Sequence, residues 1–164
     1  FGKPEEAWMK DEIRLILDCP KPLLGTCFGH QLVCHAFGAT VDFVKPITPR
    51  KGNMAARLVL KKPGALLPEL GVGGVFSVEE SHNQEVLAAS LPPELENMAV
   101  PEPSWNEANA GMKESAVQLV RHKSRPIWGT QFHPEAFDGA PADVEAAGGA
   151  LLTAFEAICV TTRR

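Results

Sequence analysis

The sequence predicts an α/β fold with an added β excursion, and three observations carry the prediction. A short apolar strand at 22–25 runs directly into the turn Gly25-Thr26-Cys27-Phe28-Gly29, and a helical stripe follows at once. The middle of the chain reads as hairpin-like strands. The last segment reads as a single closing helix. Strand, tight turn and helix first, then hairpins, then a helix is the order of an α/β sheet carrying extra antiparallel strands.

Taken in order, residues 5–17 set Trp8, Met9, Ile13, Ile16 and Leu17 at helical spacing, and Pro20 and Pro22 end that helix. After the strand at 22–25, residues 29–37 carry the stripe Leu32, Val33, Ala36 and Phe37, with Gly38 placed as the helix terminator. A short strand is expected at 41–44, then strands at 55–61 and 74–78, with weaker strand character at 97–100 and 104–110. Residues 115–121 and 126–132 read as two strands joined by the polar turn His122 to Arg125. The closing helix runs from Ala142 to Cys159 with Val144, Leu151, Leu152, Phe155 and Ile158 inward.

One domain over residues 1–164 suits this length. Hydrophobic residues make up 45% and charged residues 22%, as in a folded globular protein. No apolar run reaches the ~18–20 residues of a membrane span. The net charge is −4 and Lys and Arg are not concentrated, which argues against nucleic acid as a partner. The nearest cluster, Arg121 to Arg125, reads as a solvated hairpin end. Cysteines at 19, 27, 34 and 159 form no CxxC pair and no zinc-like spacing, so the expected setting is reducing and cytoplasmic, without a metal. Residues 1–18 carry mixed charge and no signal-peptide core.

Gly25-Thr26-Cys27-Phe28-Gly29 has the form of a nucleophile elbow with cysteine at its tip. A sharp strand-to-helix turn strains the backbone at the nucleophile, and glycines on either side let the chains approach. The helix start favours a negative sulfur and so lowers the thiol pKa. The Phe28 amide is placed to donate to an oxyanion. A free cysteine is more often an inert core residue, and that reading applies to Cys19, Cys34 and Cys159. A thiol nucleophile needs a base and the base needs an orienting partner. Residues 131–135, Gln-Phe-His-Pro-Glu, end a strand with His133, and Glu135 can turn back to hold the imidazole. His30, His35 and His122 read as structural or solvated.

These segments resemble class I glutamine amidotransferases. The elbow matches G-x-C-x-G-x-Q through Gly25, Cys27, Gly29 and Gln31, and the second signature is Gln131-Phe132-His133-Pro134-Glu135. Ser81-His82-Asn83-Gln84-Glu85-Val86 is similar to the family's S-H-x-x-x-V loop. The resemblance implies a flavodoxin-like three-layer α/β/α fold with a mostly parallel central sheet, and glutamine as substrate. It implies Cys27 as nucleophile, His133 as base and Glu135 as its partner, with Phe28 donating to the oxyanion. Gln31, Ser81 and His82 would sit against the bound glutamine, with no cofactor or metal. It also implies a synthase domain or subunit that accepts the ammonia. The chain opens at Phe1, and Phe1-Gly2-Lys3-Pro4 looks like the tail of the family's glycine-rich oxyanion loop. Relative to the family, the N-terminal strands and that loop's donor are therefore expected to be missing, leaving an exposed sheet edge and a poorly active piece. A γ-glutamyl peptidase using the same triad is an alternative, and a non-catalytic binding or regulatory relic is a second.

Overall fold

The structure, a computed structural model, describes residues 7–43, 54–104, 116–135 and 139–162. The element order is α1 (Ala7–Asp18), β1 (Leu23–Thr26), α2 (Phe28–Ala36), β2 (Val41–Phe43), β3 (Met54–Leu60), β4 (Val75–Glu80), β5 (Gln84–Val86), a 3-10 turn (Ala88–Ser90), β6 (Leu95–Pro101), β7 (Leu119–His122), β8 (Ile127–Thr130) and α3 (Ala142–Thr161). The expected elements are present within a few residues at either end. Residues 105–110 of the weak strand at 104–110 lie outside the described residues, as does Phe1-Gly2-Lys3-Pro4. The short strand β5 was not anticipated. It lies inside the Ser81–Val86 segment and pairs antiparallel with β2.

The main sheet has six strands in the order β1-β8-β7-β6-β3-β4. It is mixed rather than mostly parallel. Among the described residues, β1 and β8 form the parallel pair, in register from Leu23 with Ile127 to Thr26 with Thr130. The other pairings are antiparallel. The turn at 123–126 is too short to cross over the sheet, so it returns β8 antiparallel to β7.

The three layers follow from the pleat, which sends alternate side chains to opposite faces. On one face Leu23 and Ile127 meet Ile13 and Ile16 of α1 and Leu32 and Val33 of α2. On the other, Leu24 and Trp128 meet Leu151, Leu152, Phe155 and Ile158 of α3. Trp128 and Phe155 stack edge to face at 6.0 Å. Helix α3 is 20 residues long and apolar enough, by length and composition, to cross a membrane, which the sequence reading had not allowed for. Its buried residues are Val144, Gly148 and Leu151, and Leu152, Phe155 and Ile158 pack part-buried against the core.

Cys19 and Pro20 follow the last turn of α1, and Arg125 closes it by donating to the Ile16 and Cys19 carbonyls at 3.0 and 2.9 Å. The same guanidinium lies over the Phe37 ring. Arg125 is therefore a brace between the β7–β8 turn and α1, not a solvated hairpin end. His122, the last residue of β7 before that turn, is buried and its Nδ1 accepts from the Ser124 and Arg125 amides. Gly38 ends α2 at φ 99°, as expected.

The sheet is rolled. Four strand spacings separate β8 from β4, which in a flat sheet would be about 19 Å. Yet the His133 amide, three residues past β8, donates to the Glu79 carbonyl of β4 at 2.9 Å. Phe76 of β4 and Phe132 meet edge to face at 6.0 Å across the same closure. The two ends of the sheet thus converge at one edge.

Two close approaches hold the elbow to the sheet. A Cβ on Gly25 would lie 2.5 Å from the Gly29 carbonyl oxygen. A Cβ on Gly129 would lie 2.7 Å from His30 Nδ1, because the His30 ring is fully buried against β8. Burial brings the His30 pKa down to about 4, and the charge of nearby His82 pushes the same way. The Gly129 and Val117 carbonyls oppose this only in part, lying beside the ring without well-aligned hydrogen bonds.

Gly25→Ala is expected to destabilise the protein by about 2–3 kcal/mol, read as a lower urea midpoint, because the obstacle is backbone. His30 is neutral in the folded state at pH values where the unfolded chain already binds a proton. Its contribution is complete above about pH 6.5 and declines as pH falls toward 4, by about 3 kcal/mol in all. Urea titrations from pH 7 to 4 should show this loss, and His30→Asn should flatten it; an unaltered pH slope in the variant would contradict the assignment.

Candidate active site

Cys27 sits between β1 and α2 at φ 48° and ψ −104°, and it is the one described non-glycine residue at positive φ. Such a conformation costs of order 1–3 kcal/mol and persists only where its surroundings enforce it. Three features enforce it here. The Cys27 amide donates to the Thr130 carbonyl at 2.7 Å, continuing the β1–β8 ladder by one step. The Cys27 carbonyl accepts from Gln31 at 3.2 Å, which starts α2. Gly25 lets the first turn of α2 press onto β1.

The Cys27 Sγ lies 3.8 Å from the Ser81 carbonyl and 3.9 Å from Gln131 Nε2. The expected lowering of the thiol pKa is not realised. Burial raises it, the Phe28 amide lowers it, and the charges of Glu135 and Glu80 raise it further, with a net rise. The helix start acts in the anticipated direction but is outweighed. The shift favours the protonated thiol, so this sulfur would need a base to take its proton before it could act as a nucleophile.

His133 follows β8 beyond a buried turn in which the Thr130 hydroxyl donates to the Phe132 carbonyl at 3.1 Å. With its amide fixed on Glu79, its ring Nδ1 donates to Glu135 Oε1 at 2.9 Å. That bond sets the tautomer and leaves Nε2 as the basic nitrogen. Cys27 and His133 both extend from the same end of the parallel pair, and Glu135 is near enough to act on the thiol's charge. Among the described residues the thiol contacts Ser81 and Gln131, and no hydrogen bond joins it to His133.

The other anticipated residues fall around this point. Phe28 begins α2 with its backbone amide at the sulfur, and its half-exposed ring stacks on Trp8 at 5.9 Å. Ser81 is exposed and presents its carbonyl to Sγ. His82 turns inward instead. Its Nδ1 donates to the Gln84 carbonyl at 2.8 Å, and its Nε2 meets Glu80 Oε2 at 3.2 Å with both side chains buried. A carbonyl can only accept, so Nδ1 carries hydrogen. Gln31 is buried and its Nε2 donates to the Gln84 carbonyl at 2.9 Å and to Gln131 Oε1 at 3.2 Å. Gln131 entered the sequence reading only as a letter of the His133 motif. The structure buries it fully and puts its amide at the sulfur. A polar side chain ending a fully buried strand was the available signal.

A sequence profile for glutamine amidotransferase class-I matches residues 1–143. The bifunctional protein TrpGD of Thermotoga maritima is 30% identical over 135 residues, covering 82% of this chain and 20% of that protein. The arginine-specific small chain of carbamoyl phosphate synthase from Neosartorya fischeri is 33% identical over 130 residues, covering 79% and 24%. A Thermoplasma acidophilum protein, provisionally assigned to GMP synthase as one of its subunits, superposes with a TM-score of 0.71 at 26% identity, covering 94% of this chain and 65% of that one. The fold and the elbow define an α/β protein built to expose a cysteine. The chain belongs to the class I glutamine amidotransferase family. It spans about a fifth to a quarter of those two curated relatives.

Cys27→Gly should be more stable than Cys27→Ala by about 1 kcal/mol in thermal or urea unfolding, because glycine alone accepts φ 48° without strain. Equal stabilities would mean that the turn is unstrained.

Proposed function

We propose that this domain is a glutaminase that releases ammonia from the side-chain amide of glutamine for a synthase domain or subunit. The observation that carries the reading is the strained Cys27, locked by its amide to Thr130 at the end of the strand pair that continues into His133 and Glu135. The relatives are in keeping with it, since they include a carbamoyl phosphate synthase small chain and an aminodeoxychorismate synthase.

His133 Nε2 takes the thiol proton as Sγ adds to the amide carbon. The Phe28 amide donates to the oxyanion that forms. The imidazolium, held by Glu135, returns its proton to the departing nitrogen, so ammonia leaves and a γ-glutamyl thioester remains. Water, deprotonated by His133, then cleaves the thioester and restores the thiol. The raised thiol pKa fits this sequence, because proton removal is coupled to attack rather than completed beforehand. The exposed Ser81 and the loop braced by His82 form one wall for the glutamine head group, and Gln31 contributes from below through its remaining amide oxygen. A reducing cytoplasmic setting keeps the thiol free.

The test measures ammonia release from glutamine, and amine release from a γ-glutamyl dipeptide, by the full-length protein. Cys27→Ala and His133→Ala should each lower glutaminase activity by about a thousandfold or more, and Glu135→Gln by roughly ten- to a hundredfold. Undiminished turnover by Cys27→Ala would remove the nucleophile. Cleavage of the dipeptide in preference to glutamine would move the assignment to a γ-glutamyl peptidase.

A further inference from the structure

Beneath the thiol runs a chain of buried polar contacts that the reaction above does not use. It begins at Glu80, passes through His82 to the Gln84 carbonyl, crosses to Gln31, and reaches Gln131 and then Cys27 Sγ. The orientation of each amide in it is dictated from one end. The Gln84 carbonyl can only accept, so the Gln31 atom facing it is Nε2. That same nitrogen faces Gln131, so Gln131 must present its oxygen there. The Gln131 –NH2 group is therefore left facing the sulfur, and it cannot turn over without setting two donors against each other.

We propose that Gln131 is a positioning residue for the nucleophile, a fixed N–H donor that aims the Cys27 sulfur and favours its anionic form, with Gln31 holding the amide in that orientation. At 3.9 Å the contact is long for a neutral thiol. Once His133 has removed the proton, the sulfur becomes a charged acceptor, and hydrogen bonds to charged acceptors are shorter and stronger. The donor opposes the effect of the Glu135 and Glu80 carboxylates on the same sulfur. The Phe28 backbone amide is a second donor at the same sulfur. The inference rests on Cys27 being the reacting thiol, as in the function proposed above.

The experiment reads alkylation of Cys27 by iodoacetamide between pH 6 and 10, scored by mass spectrometry on the peptide that carries it, together with kcat and KM for glutamine. The variants are Gln131→Met, which removes the donor at similar size, and Gln131→Glu, which replaces it with an acceptor. Gln31→Met serves as a second route, since it frees the Gln131 amide to rotate. Gln131→Met should move the alkylation midpoint upward and slow labelling at pH 7.5 by about fivefold, and Gln131→Glu should slow it by more than about tenfold. kcat should fall in parallel while KM stays within about twofold. Gln31→Met should shift the midpoint in the same direction by less. Wild-type midpoints in folded Gln131→Met and Gln31→Met would overturn the inference even if activity fell, because loss of packing alone does not move a thiol titration selectively. Absence of glutaminase activity in the wild-type protein, with the midpoint shift present, would instead defeat the proposed reaction and leave the role of Gln131 standing.

Discussion

The pairing of β1 with β8 is the constraint on which the site depends. These strands are separated by about a hundred residues, and they are the parallel pair of the described sheet. Parallel pairing places the C-terminal ends of both at the same edge. One of those ends is the strained Cys27 turn and the other leads to His133. Had the strands paired antiparallel, Cys27 and His133 would lie at opposite edges. The bond from the Cys27 amide to Thr130 carries the ladder one residue past the strand, so the same interaction that joins the halves of the site also holds the elbow in its strained form.

The thiol illustrates how competing effects are weighed. A helix start favours the anion, but the sulfur is partly buried and faces two carboxylates, and the combined result favours the neutral form. Glu135 has two opposed effects. It orients His133 and stabilises the imidazolium, and it also discourages a permanently ionised sulfur. A thiol that ionises only during attack is less exposed to oxidation and alkylation than a standing thiolate.

Much of this was legible in the residues, because the informative features are local. Proline pairs, glycines around the elbow and helical stripes act over a few positions, so α1, α2, α3 and the elbow were predicted with small boundary differences. Sheet order is non-local, and a strand's neighbours leave little mark on its own sequence. The mixed sheet, the roll that brings Glu79 to His133, and the β2–β5 pair were therefore not legible. For the same reason Arg125 was read as solvated, although it closes α1 from more than a hundred residues away. His82 was expected to face the ligand, and the structure turns it inward to Glu80. A buried carboxyl group needs a partner, and nothing in the local sequence revealed that Glu80 was buried.

The rolled sheet has a mechanical meaning. The segment after β8 and strand β4 meet along a seam fastened by the His133 amide and the Glu79 carbonyl, with Phe76 and Phe132 closed over it. The β3–β4 hairpin, remote in strand order, is therefore tied directly to the segment that carries His133. A body pressing on the outer surface of that hairpin could tighten or part the seam, and so adjust where His133 stands relative to the sulfur without touching either.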